Sequence, residues 1–395
     1  MRKLQRYLFF EILRTFSLVV TGLTVVLVFV GAVSYATQFG LAPEHVLRIV
    51  PYTIPNLLPY TIPATLLLTV SIVYGRVSGD LEMTAAKSAG INPLSLLMPA
   101  FLIGAALSIG SFLLTDRVGP WAAERIQAVI VNAVEDIVIK QLKNEGSFSP
   151  EGIGVDNLTI IVAAVEGRTL IRPVVRHTRG DGQQIHIEAR EATLSFDMDA
   201  GEALVTFVDW RGDFGESIRW NVQGELTLPI PLDGEMGDRN ARDLSMVAIR
   251  QALDLAAKKS ERAATRRDLL AALAMTTGQF DGFGAEQSGA RKLSRREAKK
   301  IRKLRTEFYS RPAMACSCFL FAMLGAPFAV LRGKSQFFTT FLVCFLPIVG
   351  IYYPVTLGML TQTKAGELDP IWAVWVADAM LLTAGLVALA KTLRN

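Results

Sequence analysis

The feature that most constrains this chain is a set of long stretches without a charged residue. Five stretches contain no Asp, Glu, Lys or Arg, and a sixth, 370–390, contains only Asp378. A helix needs about 20 consecutive apolar residues to cross a bilayer. Because 51% of the chain is hydrophobic, the composition agrees with the pattern. The runs predict membrane spans at 16–36, 50–74, 94–115, 312–331, 338–361 and 370–390.

The predicted spans form two groups of three, separated by a polar segment. The fold class predicted is an α-helical polytopic membrane protein with six transmembrane helices, three plus three, and an inserted antiparallel β domain of jelly-roll type. The domain boundaries expected are 1–115 for the first three spans, 116–145 for a helical connector, 146–235 for the β domain, 236–311 for a helical and basic connector, and 312–395 for the last three spans.

The β domain is predicted from short runs of β-forming residues bounded by turn signals such as Gly180-Asp181-Gly182. The predicted strands are 158–164, 170–175, 184–187, 203–208, 218–222 and 226–230. After Pro231 the pattern returns to helix, with a Gly-rich loop expected at 278–290 and a basic helix at 291–311.

Orientation follows from Lys and Arg in the short loops, which concentrate on the inner side of a membrane. With the N-terminus inside, the outer short loops hold only Arg48, Arg117 and Lys364. This favours cytoplasmic N- and C-termini and an outer β domain. The basic stretch 291–311 would then lie outside, which the rule permits because long translocated segments largely escape it.

The loop between the second and third predicted spans has the pattern of a short helix over 78–90. Ser78 is a suitable helix cap, Asp80 and Glu82 would lie in the first turn, and Gly90 is a natural stop. The small residues on one face would let another protein approach closely. Two interpretations stay open on this pattern: a docking helix that takes force from a partner, or an interfacial connector between two spans.

Several groups of residues together resemble one known family, the LptF/LptG permeases of lipopolysaccharide export. They are Arg6-Tyr7-Leu8 with Glu11, Pro51, Pro55, Pro59 and Pro63, Gly75-Arg76-Val77-Ser78 with Glu82, Ala89-Gly90-Ile91, Glu307 with Arg311-Pro312, Gly325-Ala326-Pro327, and Trp372 with Trp375. The similarity extends over essentially the whole chain, including the layout of three spans, a β domain and three spans.

The resemblance implies a permease subunit that extracts lipopolysaccharide, or a related glycolipid, from the cell inner membrane. Expected partners are a cytoplasmic ABC ATPase dimer, a second LptF/LptG-type subunit and periplasmic bridge proteins of LptC/LptA type, with no nucleic acid. Spans one and five would form lateral gates, and the periplasmic β domain would pass the lipid on by sheet extension. The short loop helix would be the ATPase-coupling helix, formed by Asp80, Leu81, Glu82, Ala85, Ala86, Ala89 and Gly90.

The lipid phosphates need cations, and here the sequence departs from the family. Some members carry basic residues near the outer end of span one, but Thr15 to Pro43 contains no Lys or Arg. Possible lipid-phosphate contacts are Arg48, Arg305 and Arg311. The basic run could equally be a solvated helix face or a site for outer-leaflet headgroups.

Enzymatic chemistry is not expected. Gly333-Lys334-Ser335 resembles the end of a phosphate-binding loop, but Phe328 occupies the position of the required earlier Gly. The scattered histidines have no metal-ligand spacing, so neither metal nor cofactor is expected in this chain, and ATP would be used by the partner ATPase.

Two alternatives of other classes remain. A membrane-anchored scaffold or sensor could bind a partner or ligand through the β domain, but the inner loops are too short for an output domain. A channel or secondary transporter would need polar residues in several spans, and only Asp378 qualifies. Its position past Trp372 and Trp375 predicts an Asp at headgroup level.

Overall fold

The computed structural model describes residues 2–39, 43–148, 158–167, 169–178, 184–197, 202–213, 219–231, 241–277, 283–332, 342–343 and 345–394. Over these residues, six helices are long and apolar enough to cross a membrane. They define spans one to six: Lys3–Ser34, Glu44–Gly79, Pro93–Glu145, Ser294–Leu331, Phe345–Ala365 and Pro370–Arg394. Together with an antiparallel β sheet, they confirm the predicted fold class.

The part of the chain before the sheet is built from helices. They are α1 (Arg2–Phe39), α2 (Pro43–Gly79), α3 (Glu82–Ser88), α4 (Pro93–Leu113) and α5 (Gly119–Glu145). A π-helical turn, Leu114–Val118, joins α4 to α5, so the third span continues directly into the predicted connector. Asn92 caps α4 by accepting a hydrogen bond from the Leu94 backbone N–H at 2.9 Å, as its position before Pro93 favours.

The second half begins after the sheet with a short 3-10 turn, Ala241–Asp243. It then forms α6 (Met246–Thr277), α7 (Phe283–Leu331), a π-helical turn (Ile348–Tyr352), α8 (Tyr353–Ala365), α9 (Pro370–Ala373) and α10 (Val376–Arg394). Helix α7 already begins at Phe283, so the loop predicted at 278–290 is helical from there onward. Of the predicted fifth span, 338–341 and 344 lie outside the described residues.

The chain divides into two compact units. The membrane unit comprises 1–31, 50–123 and 244–395, and the second unit comprises 32–49 and 124–243. The core of the membrane unit combines large side chains of α1, α2 and α4 with a row of small residues on α7. Gly104 of α4 fits against Ala322, since a Cβ at Gly104 would lie 2.9 Å from that residue's Cβ.

Helices α6 and α7 pair as a hairpin within the membrane unit. Ile249, Ala256 and Ala263 recur at seven-residue spacing on α6 and are buried, as is Leu304 on α7. The seven-residue repeat of apolar residues is typical of coiled-coil packing. The sequence of this region is strongly charged, with fifteen Lys and Arg against seven Asp and Glu between residues 246 and 310.

The second unit contains one antiparallel sheet with the curvature of a half-barrel. Its strands, over the part of the chain that the structure describes, are β1 (Ser147–Phe148), β2 (Leu158–Ile161), β3 (Ala164–Glu166), β4 (Thr169–Ile171), β5 (Val174–Thr178), β6 (Gln184–Asp197), β7 (Glu202–Asp213) and β8 (Arg219–Pro231). The order β1-β2-β5-β6-β4-β3 is completed by β7, which pairs with β6 and β8. The runs predicted at 218–222 and 226–230 belong, from Arg219 onward, to the single strand β8, which pairs only with β7 among the described strands. Residue 218 lies outside the described residues.

Candidate functional site

The loop between spans two and three forms a short helix at one end of the membrane unit. It begins at Glu82 and not at Ser78, because α2 continues to Gly79. The Ser78 hydroxyl donates instead to the Val330 carbonyl on α7 at 3.0 Å, so it is not free to cap α3. The residue before α3 is Leu81, which has a φ of 61°. This left-handed backbone conformation is unfavourable for residues other than Gly, and such strained residues often occur at functional sites.

One face of α3 is packed into the membrane unit. Met83 and Ala86 are buried, which ties the helix to the core of the bundle. Lys87 donates from Nζ to the Thr392 carbonyl at 3.3 Å, and the Thr392 hydroxyl donates to the Pro327 carbonyl at 3.2 Å. These contacts connect α3 to α10 and, through α10, to α7.

The opposite face of α3 and its flanks is exposed. Leu81 is 57% exposed although it is a large apolar residue, and Glu82, Ala85, Ala89 and Gly90 are also exposed. Of the seven residues predicted for the coupling helix, Ala86 is the one that the structure buries. An exposed Leu beside small residues and an acidic group is a suitable surface for a partner protein, because an apolar anchor and close approach are both available.

An ion pair that sequence reasoning missed lies next to this loop. Arg76, at the end of α2, donates from Nη2 to Glu11 Oε1 on α1 at 2.8 Å. Both residues belong to motifs that carry the family resemblance, but nothing in the sequence shows that they pair across two helices. The ion pair fixes the first turns of span one to the loop that leads into α3.

The three arginines predicted to contact lipid phosphate have different surroundings. Arg48 is exposed in the second unit, and Arg305 is half-exposed on α7, with Nη2 3.8 Å from Asp369. Arg311 is only 2% exposed, and its guanidinium lies 3.7 Å from Asp116 and 3.6 Å from Glu307. Because two carboxylates face this buried cation, the structure gives Arg311 protein partners, and its predicted contact with lipid phosphate stays a prediction.

Asp378, the ionisable residue within the last predicted span, is buried on α10, with only 5% of its surface exposed. The Tyr352 hydroxyl donates to its Oδ1 at 3.1 Å. Tyr352 closes the π-helical turn, so Asp378 fixes the irregular start of span five to span six. Position along the sequence could not reveal this, because the burial arises from packing between helices.

The lateral surfaces of the spans differ strongly in coverage. Spans one and five have only 22% and 11% of their most apolar stretch buried, whereas spans two and four have 61% and 67%. On α1, Leu18 and Phe29 are 73% and 69% exposed. The exposed apolar surface of the membrane unit therefore lies mainly on spans one and five. Spans two and four are the most buried spans of this unit.

No group of His, Cys, Asp and Glu that could hold a metal ion occurs among the described residues. The stretch Gly333-Lys334-Ser335, rejected above as a phosphate-binding loop, lies outside the described residues.

These features define a class: a multi-pass membrane protein with two groups of spans, an inserted antiparallel β domain and a short helix that is exposed on one face. The family model described as "Lipopolysaccharide export system permease LptF/LptG" matches residues 6–391, nearly the whole chain. The chain belongs to this family, as its sequence resemblance predicted. It is thus an inner-membrane transport subunit for lipopolysaccharide export and not a catalytic enzyme. No curated protein matches it.

Proposed function

We propose that this chain is a permease subunit driven by a separate cytoplasmic ABC ATPase, and that α3 is the helix through which the ATPase moves it. The observation that carries this proposal is the two-sided character of α3. One face is anchored to the bundle by Met83, Ala86 and Lys87, while Leu81 and Glu82 are exposed. A helix that is fixed on one side and open on the other can transmit displacement from a partner to the spans.

The anchors determine where such a displacement would go. Through the Lys87 bond it reaches α10, and through the Ser78 bond and the Thr392–Pro327 bond it reaches α7. Through the Arg76–Glu11 ion pair, the adjoining end of α2 connects to α1, the first of the two weakly covered spans. Movement of α3 would therefore displace span one. The exposed surface of span one supports its role as a lateral gate for the lipid.

The same proposal assigns the other elements. With both termini cytoplasmic, the β domain is periplasmic, and the outer edge of β8 supports pairing with a bridge protein of LptC/LptA type by sheet extension. A second LptF/LptG-type subunit would complete the lipid cavity against the exposed faces of spans one and five. Arg48 and Arg305 are the candidates for lipid phosphate, because both are accessible.

The test is co-purification of the ATPase from detergent-solubilised membranes with tagged full-length chain. Glu82→Arg reverses the exposed charge of α3, and Glu367→Arg is the matched control. Glu367 is also exposed, but it lies at the opposite end of the membrane unit, beside the Lys364 carbonyl that Arg302 approaches. We expect an ABC ATPase with the wild type and with Glu367→Arg, and its loss with Glu82→Arg.

Leu81→Gly separates docking from folding. Glycine adopts a φ of 61° without a steric penalty, so the permease itself should be no less stable. If the exposed Leu81 side chain contacts the ATPase, the same change weakens co-purification. An ATPase that stays bound to both variants, or is absent from folded wild type, would contradict the coupling role of α3.

A further inference from the structure

The first turns of α1 carry a cationic groove that the export function leaves unexplained. Its lining residues are Lys3, Arg6, Tyr7, Phe10, Glu11 and Arg14, which share one side of the helix and line an open groove of about 480 Å³. A groove of this volume has room for a small molecule. Exposed apolar and basic side chains are thus interleaved at one end of span one.

The charge of this groove is almost wholly positive. Its only acid, Glu11, is already neutralised by Arg76 at 2.8 Å. Lys3, Arg6 and Arg14 are exposed and form no ion pair with a described residue. The Arg6 guanidinium lies over the Phe10 ring, 5.8 Å from its centroid, an arrangement that orients the cation while its charge stays accessible. The groove therefore offers three cations to an anionic ligand.

The groove lies where the charged first turns of α1 meet its apolar, exposed part. The Gln5 side chain donates to the Ser95 carbonyl and hydroxyl at 2.9 and 2.8 Å, which places these turns beside the start of α4 and at the same end as α3. The following turns of α1 are apolar and exposed, with Leu13 at 41% and Leu18 at 73%. Cations above an exposed aliphatic surface match a ligand with a charged head and hydrocarbon chains.

We propose that this groove binds the headgroup of an anionic phospholipid, with its phosphate held by Lys3, Arg6 and Arg14 and its acyl chains along Leu13 and Leu18. Guanidinium and ammonium groups are the usual protein partners of phosphate, and basic clusters at a membrane surface select anionic lipids. The proposal goes beyond the export function and requires only the membrane location of the chain. Its test uses no ATPase, so its failure is distinguishable from failure of the coupling role.

The experiment measures lipid binding to delipidated full-length chain in detergent by native mass spectrometry. The probes are phosphatidylglycerol, phosphatidylethanolamine with the same acyl chains, and inorganic phosphate. The test variant is Lys3→Gln/Arg6→Gln/Arg14→Gln. The control, Lys258→Gln/Lys259→Gln/Arg262→Gln, removes the same charge from exposed positions on α6. A third variant, Lys3→Arg/Arg6→Lys/Arg14→Lys, keeps the charge and shows whether the site itself remains folded.

We expect wild type to prefer phosphatidylglycerol over phosphatidylethanolamine and to bind free phosphate weakly. Because each cation near an anionic lipid contributes to binding, the glutamine variant of the groove should bind phosphatidylglycerol at least about tenfold more weakly. The α6 control and the charge-keeping variant should bind as wild type does. Equal binding of the two lipids, undiminished binding in the groove variant, or equal loss in the α6 control would overturn the proposal. The proposal would also be overturned if the groove variant lost a co-purifying protein but kept its lipid binding, because the groove would then be a binding surface for that protein.

Discussion

Replacing Arg311 by Met tests the buried ion-pair network between α7 and the π-helical turn Leu114–Val118, which contains Asp116. The guanidinium is 2% exposed and lies between Asp116 and Glu307, at 3.7 and 3.6 Å. Asp116 also accepts a hydrogen bond from the Met246 backbone N–H at 2.6 Å, so it connects the start of α6 to the same network. Loss of the cation would leave two close carboxylates without their shared counter-ion.

The expected loss in the free energy of unfolding follows from the burial of the ion pair. Removing one partner of a fully buried ion pair costs about 3 to 5 kcal/mol. Because the Asp116 and Glu307 side chains are 21% and 13% exposed, water offsets part of this cost, and we expect a loss of about 2 to 4 kcal/mol. Arg305→Met is the control on the same helix. Arg305 and Asp369 are both 48% exposed at 3.8 Å, which makes their pair worth less than about 1 kcal/mol.

The assay is unfolding of the full chain in mixed micelles of mild detergent and SDS, followed by circular dichroism. The measured quantity is the difference in the free energy of unfolding from wild type. If Arg311→Met and Arg305→Met destabilise the protein equally, or if Arg311→Met has no effect, the structural role assigned to Arg311 is wrong. A large loss of lipid export at unchanged stability would instead restore Arg311 as a lipid contact.

Three further predictions concern packing and coupling. Gly104→Ala should destabilise the protein by about 1 to 3 kcal/mol in the same assay, because the new Cβ lies 2.9 Å from a side-chain carbon of α7. Gly110→Ala on the same helix, with no atom within 4 Å, should be neutral or stabilising, and the reverse order would contradict the α4–α7 packing. Tyr352→Phe should cost about 1 to 3 kcal/mol, because buried Asp378 loses its 3.1 Å donor, and an unchanged free energy of unfolding would refute that hydrogen bond. Lys87→Met should leave ATPase co-purification intact but reduce ATP-driven lipopolysaccharide release severalfold, since it removes the 3.3 Å bond from α3 to α10; full release would show that this bond carries no coupling.

The spans could be predicted from the sequence because a single physical constraint governs them. A helix must be apolar for about 20 residues to cross the bilayer, and no tertiary contact can substitute for that. The antiparallel sheet was predictable for a similar reason, since turn residues and β-branched runs are local signals. Strand bounds were less accurate: the two short runs before Pro231 belong to one strand, β8, because pairing with β7 resumes at Val222 after a β-bulge that follows Glu225.

The site details depended on contacts between distant residues. Ser78 has the right chemistry for a cap, but its hydroxyl is used by a carbonyl on α7, and the chain reaches α3 through the left-handed Leu81. Charge patterning identified Arg311 as a cation near a membrane boundary, yet only packing shows that it is buried between carboxylates. In each case the local sequence indicated the chemical character of the side chain correctly. The group that the side chain contacts is far away in the sequence and could not be predicted.

The most direct test of the proposed export mechanism is ATP-dependent release of lipopolysaccharide from vesicles that contain this chain, a second permease subunit and the ATPase. The variants compared are wild type, Glu82→Arg on α3 and Glu367→Arg at the opposite end of the membrane unit. We predict ATP-dependent release with wild type and Glu367→Arg and none with Glu82→Arg. Release by Glu82→Arg at the wild-type rate would contradict force transmission through α3, and no release by an intact wild-type complex would contradict the proposed export mechanism.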